Sequence, residues 1–238
     1  MNRWGRGVLE VVAAVEPALR NAANQLRTLL QRDAVSPATF RARLEDVPPR
    51  ERDGWLDLVW DVHELPDDET ELPRGCVPYL PCPVATVLDV VQQAGVTDKD
   101  VFVDVGSGLG RTAFLANVLT GAGCIGLEIQ PSLVEAARGR AAWLNLERTR
   151  FVQGDAAERL RFLTVGTVFF LYCPFSGDRL HRALADLEAI ARTREIRIAC
   201  VHMPPLDCHW LVRLPSASPE VDVYRSTLLD PSFRRAAT

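Results

Sequence analysis

Apolar residues recur along the chain in two different rhythms, and the change from one to the other divides it. From residue 8 to residue 32 they fall at three- and four-residue steps (Val8, Val11, Val12, Val15, Leu19, Ala22, Leu26, Leu29), the spacing of one helix face. Pro17 lies inside that run and should break or kink it, because its ring removes a hydrogen bond and crowds the preceding turn. Ser36-Pro37 offers a capping hydroxyl followed by a residue suited to the first helical position, so a second helix is expected over 37–46. A third is expected over 51–65, with Trp55, Leu58, Val59 and Val62 on one face. Residues 72–83 hold four prolines, exclude regular structure, and must lie across something. A helix over 83–94, ended by Gly95, leads into the second rhythm.

The second rhythm consists of short apolar runs at 101–105, 124–128, 150–153, 166–172 and 195–202, separated by helical stretches at 112–120, 131–146 and 176–193. Runs of this kind suit inner strands of a parallel sheet, which are covered on both faces. Runs at 209–214 and 221–228, joined by PSASPE, read as an antiparallel hairpin. The expected fold class is therefore α/β. A seven-stranded, mostly parallel sheet with an antiparallel C-terminal hairpin occupies residues 83–238, preceded by a helical extension or lid over 1–82.

The chemistry concentrates where the first strand ends. Residues 101–111 read VFVDVGSGLGR, a strand, a tight turn and the start of a helix. Glycine lets the backbone take positive φ and lets another group approach it closely, and the helix that follows aims unpaired N–H groups at the turn. The spacing is G-x-G-x-G. A dinucleotide fingerprint would need its third glycine at 111, which is Arg111, and the Gly-Lys-Ser/Thr end of a P-loop is absent. Asp104, two residues before the first glycine, is unfavourable beside a polyphosphate and suits a ligand with an ammonium group. Glu128 falls at the tip of the second strand, where an acid accepts hydrogen bonds from ribose hydroxyls; by itself it does not separate a nicotinamide site from other nucleoside sites.

DVGSGLGR at 104–111, GLEIQP at 126–131, GDA at 154–156 and FLYCPF at 170–175 together resemble the ordered motif set of the class I S-adenosylmethionine-dependent methyltransferases, over about residues 78–228. Within that superfamily, YLPCP at 79–83 and the D-x-G-S-G-x-G-R form look closest to the branch containing lysine methyltransferases of the disruptor-of-telomeric-silencing type. The resemblance implies a Rossmann-like sheet with S-adenosyl-L-methionine along its carboxyl edge. The amino acid end of the cofactor would lie near Asp104 and the turn of Gly106, Ser107, Gly108 and Gly110, and the ribose on Glu128. Adenine would lie between Asp155 and the Ala156 backbone N–H, with Tyr79, Tyr172 and Cys173 as further contacts. Asp155 could instead merely cap the helix that starts at Ala156, and Tyr79 could be a buried tyrosine with a satisfied hydroxyl.

One departure matters. Amino-group methyltransferases of this kind place an asparagine where this chain has Cys173, and a thiol is a weak hydrogen-bond acceptor. Transfer to an amide or planar amine is put in doubt, while the cofactor assignment is not. His202, at the end of the fifth strand, and Tyr172 are the candidates for taking a proton from the acceptor; a structural His202 is the competing reading. Two rival functions remain: an NAD(P)-dependent oxidoreductase, and a non-catalytic methyltransferase-like binding subunit.

Composition narrows the partners. With 238 residues, 47% of them hydrophobic, the chain can bury one substantial core. The net charge of −4 provides no global basic field, which makes nucleic acid an unexpected partner. The expected partner is a methyl acceptor, either a small molecule or a basic protein segment. Nine acids and one arginine fill residues 51–71, either as a solvated helix face running into a loop or as a surface for a basic substrate. The six cysteines do not make two close pairs of metal-ligand spacing. A zinc site from Cys76, Cys82, Cys208 and His209 is disfavoured against reduced, mostly buried thiols, so no metal and a cytoplasmic setting are expected. No membrane-length apolar segment occurs in the sequence.

Overall fold

The computed structural model describes residues 15–63 and 72–227. Helices α1 (Pro17–Gln31), α2 (Pro37–Glu45), α3 (Arg52–Val59) and α4 (Val84–Gln93) precede the sheet region. There β1 (Val101–Val105), α5 (Arg111–Thr120), β2 (Gly123–Glu128), α6 (Pro131–Trp143) and β3 (Thr149–Gln153) form the first half. The second half contains α7 (Ala156–Arg159), β4 (Val168–Tyr172), α8 (Asp178–Ala191), β5 (Arg197–Val201), β6 (Leu211–Arg213) and β7 (Val221–Ser226). The sheet order is β3-β2-β1-β4-β5-β7-β6. Strands β1 to β5 run parallel, and β7 is antiparallel to both β5 and β6. Chain order reverses between β1 and β4, which opens a crevice outside the carboxyl ends of the strands.

The strand alternation explains why both faces are covered. Phe102 and Phe170 point into one apolar cluster, while Val103, Val105, Phe169 and Leu171 point into the other. The first cluster continues through Phe114 into Phe40, Trp55 and Trp60 of the N-terminal helices, without interruption. Phe40 stacks on Trp60 at 5.9 Å, and Trp60 meets Phe114 at 5.7 Å. Helices α1 to α3 thus share the core of the sheet's first face.

Several boundaries differ from expectation for local reasons. Pro17 starts α1 at the first helical position, so it neither kinks nor interrupts the helix; Val8, Val11 and Val12 lie outside the described residues. Ser36 does cap α2, its hydroxyl accepting from the Thr39 N–H at 3.1 Å. The third helix is shorter than its apolar face suggested. It opens with a 3₁₀ turn at Pro49–Glu51, and Asp61 beyond it turns left-handed (φ 57°). Leu65 and the acids Glu64, Asp67, Asp68, Glu69 and Glu71 lie outside the described residues, as do Leu228, Arg234 and Arg235. Helix α6 stops at Trp143 because Asn145 is left-handed (φ 57°), and β5 stops at Val201 because His202 is (φ 53°). Among the described residues no helix is long and apolar enough to cross a membrane.

Candidate functional site

A cavity of about 340 Å³ opens at the carboxyl edge of the sheet, bounded by the ends of β1, β2, β3 and β4 and by the proline-rich segment. That volume lies within the ~300–1,000 Å³ range of small-molecule sites. Tyr79, Gly106, Glu128, Asp155, Ala156, Tyr172 and Cys173 line it. Asp104, Ser107, Gly108 and Gly110 do not form part of its wall, and His202 stands outside it with its ring 5.6 Å from that of Tyr172.

The glycine turn explains that division. Gly106, Gly108 and Gly110 all have positive φ, as the sequence suggested, but what approaches them is largely the protein itself. A Cβ on Gly108 would lie 2.1 Å from the Tyr79 ring, and one on Gly110 would lie 2.3 Å from Phe151. The Gly108 N–H donates to Glu128 Oε2 at 2.8 Å, and the Gln130 N–H donates to Oε1 at 2.9 Å. These two bonds hold the carboxylate at the strand tip facing the cavity. The Ser107 hydroxyl is buried beneath the turn without a hydrogen-bond partner.

Asp104 acts from behind the wall. It is 3% exposed, and burial, with the charge of Glu128 adding to it, pushes its carboxyl up to about 7. A hydrogen bond from the Ala113 backbone opposes the rise. Its reach is therefore to the first turn of α5, whose N-cap Gly110 has no side chain to do that work. A direct contact between Asp104 and a ligand in this cavity is not what the geometry provides.

Asp155 does cap α7, accepting from the Ala157 N–H at 2.9 Å. It also receives Arg179 Nη1 on both oxygens at 2.6 Å, while remaining on the cavity wall. Cys173 (φ 43°) and His202 (φ 53°) are both non-glycine residues in the left-handed region, at the ends of the neighbouring strands β4 and β5. Each such residue costs ~1–2 kcal/mol, and both are exposed. Tyr172, half-buried beside them, stacks on Phe170 at 6.4 Å, and burial raises its hydroxyl above the ordinary range.

Sequence reasoning missed the charge cluster behind the turn. Arg111, only 8% exposed, donates to the Asp53 backbone oxygen at 3.1 Å and to its Oδ1 at 2.7 Å, with Asp57 Oδ1 at 3.4 Å. Burial raises Asp57 to about 6 against the pull of Arg111. Asp61 is also engaged, by Arg27 at 2.5 Å and by His63. In the described part of the acidic stretch Asp57 is buried, while the side chains of Asp53 and Asp61, 42% and 38% exposed, each hold an arginine. The i, i+4 spacing of Asp53 and Asp57 on α3 was the available signal, since it places both acids on one side of the helix. Among the described residues no group of three His, Cys, Asp or Glu side chains gathers at metal-binding distance.

Comparison with known proteins bears on the fold around this site. Residues 97–165 match the family model of a methyltransferase domain. That match spans less than a third of the chain. The fold is shared with a putative methyltransferase, yhhF, from Escherichia coli, at 17% identity and a TM-score of 0.50, covering 69% of this chain and 92% of the other. An RNA methyltransferase from Salinibacter ruber, solved with S-adenosyl-L-homocysteine, is 27% identical over 63% of this chain and 95% of its own, with a TM-score of 0.46. A putative methylase from Haemophilus influenzae is 17% identical over 65% of this chain and 92% of its own, also at 0.46. No curated protein matches the chain.

Proposed function

We propose that the cavity binds S-adenosyl-L-methionine and that the chain transfers its methyl group to an acceptor held at the ends of β4 and β5. The observation that carries this reading is Glu128: a buried carboxylate, oriented by two backbone N–H groups, at the tip of the strand beside the glycine turn and facing the cavity. Such an acid suits ribose hydroxyls. Among the described residues no lysine or arginine lines the cavity. The group therefore fits as a nucleoside.

When bound, its sulfonium supplies a methyl carbon open to in-line displacement. The chain's contribution is to orient the partners and exclude water. Tyr79 and Pro174 flank the turn at Gly108 and Gly106, with Asp155 and Ala156 at the far end for the base. His202 and Tyr172 stand together at the strand ends, where His202 can take a proton from the acceptor; burial keeps the Tyr172 hydroxyl protonated, which leaves it to orient the acceptor by a hydrogen bond. The acceptor in this reading is a small molecule or a protein side chain. The lysine-methyltransferase branch is supported by the YLPCP and D-x-G-S-G-x-G-R motifs alone. Residues 83–238 act as the catalytic domain in this reading, and residues 1–82 as the extension that braces and covers it.

Calorimetry with S-adenosylmethionine, S-adenosylhomocysteine and NAD tests the proposal. Binding of the two sulfur nucleosides and not of NAD is expected. Binding of NAD alone would establish the oxidoreductase reading, and binding of none of the three would favour a non-catalytic subunit.

A further inference from the structure

The segment over residues 72–83 is fastened at both ends, and the two fastenings differ in kind. At its start, the Arg74 carbonyl accepts from Arg179 Nε at 3.0 Å, the Gly75 carbonyl accepts from the Ser176 N–H at 3.3 Å, and Cys76 bridges to Phe175. The same Arg179 holds Asp155 through Nη1. At its far end, Asp53 Oδ1 accepts from both Arg111 and the Val84 N–H, the latter at 3.1 Å. Between these points Val77 and Leu80 lie 46% and 43% exposed, and Tyr79 lies against Gly108, so the strap spans the cavity.

The two ends of the strap differ in burial. Arg74 and Gly75 are exposed and Cys76 is half-buried, whereas Cys82 is 4% and Val84 1% exposed. Both side chains of the Arg179–Asp155 pair are about one-fifth exposed, so water can compete for them. At the far junction the side chains of Arg111 and Asp53 are 10% and 42% exposed; what water does not reach there is the Asp57 side chain behind Arg111, at 7%, and Val84, at 1%. Gly75, at φ 88°, supplies a backbone position that can swing beside the weaker fastening.

We propose that the strap opens from its Arg179 end: Arg179 is a positioning residue that clasps residues 74–76 to Asp155, and the Asp53–Arg111 junction is the fixed end. We further assign the release of the clasp to a nucleoside base that engages Asp155 and displaces Arg179. The second statement rests on the proposed function; the first does not.

Cysteine alkylation reads out both ends, because Cys76 sits at the releasable end and Cys82 at the fixed one. Iodoacetamide labelling of the full chain, resolved by residue with mass spectrometry, is measured for wild type, Arg179→Gln and Asp53→Asn. In Arg179→Gln, labelling of Cys76 should accelerate on the order of tenfold, the effect expected from losing hydrogen bonds to a charged group. Cys82 should be unchanged. The chemical effect of the substitution runs the other way: burial raises the Cys76 thiol and Arg179 lowers it, so removing the arginine by itself makes less thiolate. Faster labelling therefore reports opening. Asp53→Asn should speed hydrogen exchange at the Val84 amide and leave Cys76 labelling as in wild type; Cys82 labelling is not the readout for that variant, because the Asp53 charge itself raises the thiol.

Equal acceleration of both cysteines in Arg179→Gln, or of neither, would overturn the proposal. Hydrogen exchange on the wild-type chain gives a check free of mutation: the Ser176 amide should exchange faster than the Val84 amide, and the reverse order would refute the assignment of the ends. Added S-adenosylhomocysteine should change labelling at Cys76 in wild type more than in Arg179→Gln. If the ligand binds but changes the two equally, the release statement falls. If it does not bind, the proposed function and the release statement fall together, and the labelling of the free protein still decides which end opens.

Discussion

Replacing Arg111 with methionine isolates the charge cluster that joins the N-terminal helices to the glycine turn. Arg111→Met keeps most of the aliphatic volume but takes from Asp57, 5% exposed, its nearest cation and leaves it only the weaker pull of Arg140. Breaking a buried pair by removing one partner costs ~3–5 kcal/mol when the remaining charge stays buried. For a chain of this size each kcal/mol lowers Tm by about 2–4 °C, so a fall of roughly 6–20 °C is expected at pH 8. The loss must depend on pH in a fixed direction. Asp57 has a folded-state pKa of about 6, above its ordinary 3.8, so its contribution to stability is fully present below about pH 4 and is lost as pH rises through 6. Without Arg111 the folded value moves higher still. The variant and wild type should therefore differ little near pH 4 to 5 and diverge above pH 6. Asp53 adds only a small part, since its side chain is 42% exposed. Denaturant unfolding at pH 5 and pH 8, with the double variant Asp57→Asn/Arg111→Met alongside, measures this. A loss of equal size at both pH values, or a double variant no more stable at pH 8 than the single, would refute the reasoning.

Three further outcomes follow from the geometry. Gly108→Ala should destabilise by about 1–3 kcal/mol in urea, because its Cβ meets the Tyr79 ring at a positive φ, whereas Gly139→Ala in α6, with nothing within 4 Å of the added carbon, should stabilise by up to ~1 kcal/mol. Thiol labelling of the native chain should reach exposed Cys173 first and buried Cys82, Cys124 and Cys200 only on unfolding, and S-adenosylhomocysteine should slow Cys173; a Cys173 indifferent to the ligand would place the ligand elsewhere. His202→Asn should lower kcat by ~10²–10⁴-fold with nucleoside affinity unchanged in calorimetry, and undiminished turnover would remove the imidazole from the reaction.

The order of strands and helices was readable because buried parallel strands and amphipathic helices write different periods into a sequence. The runs at 101–105 and 124–128 and the capped start at Ser36 survive as β1, β2 and α2 with boundaries shifted by no more than a residue. Where the reading slipped, a backbone conformation ended an element that the apolar pattern would have continued: Asp61 beyond α3, Asn145 beyond α6, His202 beyond β5. An apolar position such as Val62, buried past the end of α3, reports burial and not helix.

The residues of the cavity wall were legible in part for the same reason: strand tips project to one edge, so Glu128, Asp155, Tyr172 and Cys173 had to meet. What no local pattern carries is which charge answers which across the fold. Arg111 finds Asp53 from 58 residues away, Arg179 finds Asp155 across 24, and Asp104 turns to a helix end behind the wall. A sequence specifies that such groups are buried or chargeable; only the packed chain, by excluding water from some of them and not others, decides which carboxylate faces the cavity and which holds the wall in place.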